Sequence, residues 1–195
     1  MTGYKPTKKT RKKQRPGQAL VLIDVINDFN FPRSAALLRY ALPAAQRIAA
    51  LKERAKRARL PVIYANDNFG RWRSDFRQQI EHCLAQSGRG RTIVELLQPE
   101  DDDYFVLKPM HSAFFSTTLE VLLERLHIQS LILTGFAADI CVLYTANDAY
   151  MRDFKVAIPS DCVASETMRQ YRFALEHMAQ RLKGDTRTSD RIRFH

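Results

Sequence analysis

Apolar residues fall into short runs and helical stripes that alternate along the chain. Ala19 to Ile23 is a continuous apolar run closed by Asp24, the pattern of a central parallel strand covered on both faces. Leu42 to Ala58 reads as a helix, with Pro43 tolerated in its first turn and a basic end that suits the helix dipole. Pro61–Ala65 predicts a second strand. The segment from Asn66 to Gly90 is polar, aromatic and basic, with a helical stretch over Ser74–Leu84. After the acidic break Asp101-Asp102-Asp103, Tyr104–Leu107 predicts a third strand. Leu119, Leu122, Leu123 and Leu126 then form one stripe of an amphipathic helix. Ser130–Thr134 is the fourth predicted strand, Cys141–Met151 a helix, Lys155–Ile158 a fifth strand and Glu166–Leu182 a final helix. The residues beyond are polar and carry no signal for a sixth strand.

Strand–helix alternation of this kind predicts an α/β protein with an open, mostly parallel sheet flanked by helices. In such sheets ligands bind beyond the carboxyl ends of the strands. Three reactive side chains stand at those ends: Asp24 after the first strand, Lys108 after the third and Cys141 shortly after the fourth.

Length and composition narrow the picture little. At 195 residues and 45% hydrophobic, the chain is most simply one domain with a sizeable core. No apolar run approaches the ~20 residues of a membrane span. The run at Ala19–Ile26 is interrupted by Asp24 and has no cleavage site after it, so it reads as a strand rather than a signal peptide. A cytoplasmic address is expected.

The net charge of +10 is concentrated at one end: Lys5, Lys8, Lys9, Arg11, Lys12, Lys13 and Arg15 supply seven of the charges without an acid among them, leaving +3 elsewhere. Residues 1–17 therefore read as a disordered basic tail. Its expected partners, beyond solvent, are weak nonspecific contacts with anionic surfaces such as nucleic acid or lipid.

The three cysteines, Cys83, Cys141 and Cys162, show neither paired nor metal-binding spacing. Cys83 and Cys162 read as small buried hydrophobes. Cys141 follows a strand, a glycine and a short turn at an apparent helix start, a setting that favours the thiolate. A cysteine nucleophile needs a base, an electrophile held in line and donors for the oxyanion. Asp24 fits as the base that takes the thiol proton, returns it to a leaving amine and later activates water. Lys108 fits as the cation that orients Asp24 and steadies both anions. Backbone N–H groups of the turn, with that of Cys141, would form the oxyanion hole. Taken in isolation, Asp24 and Lys108 read as an ion pair capping two strands; the cysteine shifts the balance to catalysis. A serine-hydrolase reading lacks the GxSxG elbow.

Leu22-Ile23-Asp24-Val25-Ile26-Asn27-Asp28-Phe29, Lys108-Pro109-Met110-His111-Ser112-Ala113-Phe114-Phe115 and Thr134-Gly135-Phe136-Ala137-Ala138-Asp139-Ile140-Cys141-Val142, followed by Thr145-Ala146-Asn147-Asp148-Ala149, together resemble the isochorismatase-like cysteine hydrolases. The resemblance runs from about Gln18 to Leu182. It implies a domain over residues 18–183, a polar C-terminal tail over 184–195, and a three-layer Rossmann-like fold with a mostly parallel five- or six-stranded sheet. It also implies an Asp24–Lys108–Cys141 triad, a non-proline cis peptide at Phe136–Ala137, an oxyanion hole from the Ala137 and Cys141 N–H groups, and a homo-oligomer.

No cofactor is implied. Nicotinamidases of this family carry an Asp-x-His…His metal site after the second strand; here Asn66-Asp67-Asn68-Phe69-Gly70-Arg71-Trp72-Arg73 has no histidine, so no metal is expected. His82 and His111 lack that spacing and read as isolated surface or core histidines. The substrate-binding candidates are Phe29, Asn68, Trp72, Arg73, Phe115, Phe136 and Tyr144, with Arg71 or Arg73 suited to a substrate carboxylate. Asp139 suits either the helix start or the substrate, whereas Asp148 and Asp161 read as structural carboxylates. The leading expectation is hydrolysis of a small amide, ureide or carbamoyl compound. Vinyl-ether hydrolysis of the isochorismatase type, or a binding module using the basic tail, are the alternatives.

Overall fold

The computed structural model describes residues 17–68, 76–85 and 88–194. Residues 1–16 of the basic tail read over 1–17, and the pocket candidates Trp72 and Arg73, lie outside these described residues, while Gly17 begins the first strand. Six parallel strands form one sheet: β1 (Gly17–Ile23), β2 (Val62–Asp67), β3 (Tyr104–Lys108), β4 (Ile128–Phe136), β5 (Lys155–Ala157) and β6 (Val163–Ala164). Their order is β3-β2-β1-β4-β5, with the two-residue β6 pairing the end of β4. The chain winds outward from β1 to β3, then crosses back to β4 and winds the other way. The order therefore reverses between β1 and β4, where open parallel sheets leave a crevice.

Side chains alternate across each strand. Leu20 and Leu22 of β1 face the core shared with α1 (Ser34–Arg57), α2 (Phe76–Ala85) and α3 (Arg91–Leu96). Ala19, Val21 and Ile23 face the core shared with α4 (Leu119–Arg125), α5 (Leu143–Met151) and α6 (Met168–Gln180). Two helical layers thus cover both faces of the sheet, which is why β1 is apolar at every position from Ala19 to Ile23.

Several elements differ from their sequence-based bounds. α1 starts at Ser34 and not at Leu42, so Pro43 lies inside it. Proline cannot donate a helical hydrogen bond, but the buried stripe of Leu37, Ala41, Ala44, Ala45 and Ile48 continues through it. Packing outweighs the missing bond. β2 runs on to Asp67 because its polar end is bonded: Asn66 Nδ2 donates to Ile26 O at 2.8 Å, and Asp67 N donates to Asp24 Oδ1 at 2.7 Å. The short α3 has no counterpart among the predicted elements, and β6 is too short to leave a periodic signal.

Residues 184–194, polar in sequence, return to the body of the domain. Ile158 N donates to Asp185 O at 2.8 Å and Asp185 N to Val156 O at 3.1 Å. Asp161 accepts from Ser189 N at 2.7 Å and Ser189 Oγ at 2.8 Å, and Ile192 is buried in the α1-side core. Hydrogen bonds to short polar groups hold this segment, and they leave no hydrophobic period to read. Asp161→Ala should lower stability by about 2 kcal/mol, the scale of hydrogen bonds to a charged group. A urea titration checks the loss, and hydrogen exchange should show it concentrated over residues 185–192.

Candidate active site

Asp24 is the first residue after β1 and holds a left-handed backbone, with φ of 53°. Lys108 ends β3 and is wholly buried. Cys141 follows β4 in a π-type turn, Ala138–Val142, that leads directly into α5. These three positions converge at the reversal of strand order. Lys108 Nζ lies 2.8 Å from Asp24 Oδ2 and 3.6 Å from Cys141 Sγ, and donates to Met110 O at 3.2 Å. Asp67, in register with Lys108 on β2, places its carboxylate 3.8 Å from the same ammonium while its N–H binds Asp24.

Burial disfavours each charge, and the balance differs by residue. Burial pushes the Asp24 carboxyl up despite the opposing pull of Lys108 and the Cys141 hydrogen bond. Burial alone would lower the Lys108 ammonium, but the facing Asp24 carboxylate leads the groups that lift it above its usual range. Burial and then the Asp24 charge push the Cys141 thiol up, against the pull of Lys108. This corrects the sequence-based expectation of a thiol lowered by a helix start. The cysteine sits in a π-type turn ahead of the α-helix proper, and desolvation with a neighbouring carboxylate outweighs the dipole. Burial and the neighbouring Asp24 charge both favour the protonated form of the sulfur.

The backbone before Cys141 is tightly constrained. The Phe136–Ala137 peptide is cis. Gly135 has φ of +114°, and a Cβ there would come within 2.0 Å of Ile23 O across the β1–β4 pair. Only glycine fits this close approach. Gly135→Ala should cost more than about 3 kcal/mol, the upper range for one strained residue, because a backbone clash is added. A lost or sharply lowered cooperative melt would be the observed result.

The remaining candidates scatter. Phe29 and Phe136, each 2% exposed, stand with ring centroids 6.3 Å apart in the α1-side core. They offer a substrate almost no surface; their aromatic bulk packs beneath the site. Asn68 is buried, and its N–H donates to Lys108 O at 3.0 Å. Phe115 and Tyr144 are each 54% exposed, so both are free to meet a ligand. Asp139 Oδ1 is buried without a hydrogen-bond partner among the described residues. Asp148 accepts from Ser112 Oγ at 2.5 Å and pairs with Arg152 at 3.2 Å, anchoring the turn after β3.

His111, read from sequence as an isolated histidine, is beside the cluster. Its Nδ1 lies 4.0 Å from Cys141 Sγ, and its ring meets that of Tyr144 at 5.5 Å. The available signal was its place in the turn directly after Lys108, since loops at strand ends carry chemistry.

The sequence model of the isochorismatase domain matches residues 18–190. The uncharacterized isochorismatase family protein YaaI of Bacillus subtilis (strain 168) is 39% identical over 175 residues, covering 90% of this chain and 96% of that protein. Enterobactin synthase component B of Escherichia coli (strain K12) is 31% identical over 137 residues, which cover 69% of this chain but 48% of that longer protein. Among solved structures, N-carbamoylsarcosine amidase from Thermoplasma acidophilum aligns with a TM-score of 0.72 at 27% identity, covering 91% of this chain and 99% of that one. Nicotinamidase/pyrazinamidase PncA from Bacillus subtilis aligns with a TM-score of 0.70 at 27% identity, covering 88% and 99%.

Proposed function

We propose, from the premise that this chain belongs to the isochorismatase family, that it is a cysteine hydrolase cleaving a C–N bond of a small amide, ureide or carbamoyl compound through a thioester on Cys141. One observation carries the reading: a thiol 3.6 Å from a buried ammonium that is itself 2.8 Å from a carboxylate. A structural ion pair needs no thiol, whereas a nucleophile needs both a base and a cation close by. The structural likeness to an amidase and to a nicotinamidase supports the C–N substrate class.

Asp24 takes the thiol proton as sulfur attacks the carbonyl carbon, so an unfavourable free thiolate need not form first. Lys108 keeps the carboxylate ionised and steadies negative charge as it passes to sulfur and oxygen. The backbone N–H groups of Ala137 and Cys141 are the oxyanion donors in this reading.

Lys108→Met removes the cation that is 2.8 Å from Asp24. Breaking a buried pair in this way costs about 3–5 kcal/mol, and Asp24, already pushed up by burial, then holds its proton. Both the urea midpoint and turnover should fall. Normal turnover in that variant would remove Lys108 from the mechanism.

A second reading has its own observation. Asp24 raised by burial is suited to protonate an enol ether, and an isochorismatase of Bacillus subtilis (strain 168), 29% identical over 170 residues, is among the relatives. Incubating wild type and Cys141→Ala with a panel of small amides, ureides and isochorismate separates the two. Ammonia release with an acyl adduct on Cys141 supports the amidase; ether cleavage that survives in Cys141→Ala favours the second reading.

A further inference from the structure

The thiol has an ionisable neighbour on its solvent side as well as its buried side. Asp24 is enclosed, with one carboxylate oxygen on Asp67 N and the other on Lys108 Nζ. His111 is exposed, and its Nδ1 stands 4.0 Å from Sγ. Its backbone is held although its ring is open. Met110 O before it accepts from Lys108 Nζ, Ser112 after it donates to Asp148, and Ala113 N donates to Thr145 Oγ1 at 3.0 Å. Thr145 Oγ1 in turn donates to Cys141 O at 2.7 Å. The turn that carries His111 is thereby fastened to the segment that carries the nucleophile. Tyr144, three residues past Cys141, flanks the imidazole.

The 4.0 Å gap is long for a bond that would make His111 the base of the thiol. It suits groups bonded to the carbon that sulfur attacks, because atoms two bonds out from sulfur fall within hydrogen-bond reach of Nδ1. Resting on the thioester reading above, we infer that His111 is the solvent-side acid–base group, protonating the leaving nitrogen and then taking the proton of the hydrolytic water, while Asp24 handles only the thiol proton.

The protons balance. In acylation, the Cys141 proton passes to Asp24 as the C–S bond forms. Collapse breaks the C–N bond, and the nitrogen leaves with the proton from His111. In deacylation, water gives a proton to the now neutral His111 as its oxygen bonds to the thioester carbon. Collapse breaks the C–S bond, and sulfur recovers its proton from Asp24. Both groups end as they began, and the sum is amide plus water giving acid plus amine.

The test uses the full chain and one acyl group with two leaving groups, p-nitrophenyl acetate and 4-nitroacetanilide. Nitrophenolate leaves without an acid, so His111→Ala should acetylate Cys141 from the ester within about threefold of the wild-type rate, whereas the anilide, which needs a proton, should fall by about 10²-fold or more. The acetyl-enzyme should then clear about 10²-fold more slowly, piling up on Cys141 in intact mass spectra. Added imidazole should restore clearance in His111→Ala. His111→Gln, which keeps a polar side chain, should show the same defects.

An acetyl-enzyme that clears equally fast in wild type and variants overturns the role of His111 and leaves the thioester reading standing. Equal losses on ester and anilide also overturn it, since His111 would then act on the thiol or only shape the mouth. No adduct on Cys141 in either wild type or His111→Ala overturns the thioester reading, and this inference with it.

Discussion

On the proposed thioester mechanism, Cys141→Ala should lower hydrolysis of a small amide or ureide by about 10⁴-fold or more, the scale of losing a covalent nucleophile, while the melting temperature should move little. The sulfur is only partly buried and ends no hydrogen-bond chain that the fold depends on; its close contacts are Asp24, Lys108 and His111. Steady-state kinetics beside a thermal melt reads both quantities. Turnover that persists within tenfold of wild type (about 1.4 kcal/mol) would remove the thioester from the mechanism.

Asp24→Asn separates two properties that usually travel together. Turnover should fall by about 10²–10⁴-fold, the range attributed to a positioned proton acceptor. The thiol itself should become more reactive toward iodoacetamide at a given pH. The sign follows from the causes: the Asp24 charge and hydrogen bond both raise the Cys141 thiol, so removing the charge lets the thiol ionise at lower pH. Burial remains the larger cause, so alkylation in wild type should keep climbing as pH rises past the ordinary thiol value of 9.0. The pH dependence of alkylation, followed by mass spectrometry in both proteins, checks this. A wild-type thiol already fully reactive at neutral pH, or a variant that alkylates more slowly, would show that the Asp24 charge does not govern the sulfur.

Legibility in the sequence followed the physics of each feature. The strands β1 and β4 could be read because both faces of a central parallel sheet demand apolar side chains, and the edge strand β3 because its apolar run follows an acidic break; Asp24 and Lys108 stand out against such runs. The start of α1 could not, because Pro43 is a first-turn signal locally, while the buried stripe from Leu37 to Ile48 overrides it through packing. The polar end of β2 and the return of residues 184–192 were hidden for a related reason. Hydrogen bonds to distant partners hold them, and such bonds leave no periodic trace.

By itself the sequence determined the α/β class, the order of the longer strands and helices and the family, since these rest on local patterning and on motifs contiguous in the chain. It also identified Asp24, Lys108 and Cys141 as candidates, as reactive residues at strand ends. Only the tertiary structure decided what surrounds the sulfur. Burial and Asp24 raise the thiol that a local helix-start argument would lower. Phe29 and Phe136 pack into the core, while His111, 30 positions from Cys141, comes within 4.0 Å of the sulfur. Charge and solvation depend on distance through space, and residues far apart in the chain become neighbours only when the sheet closes around them.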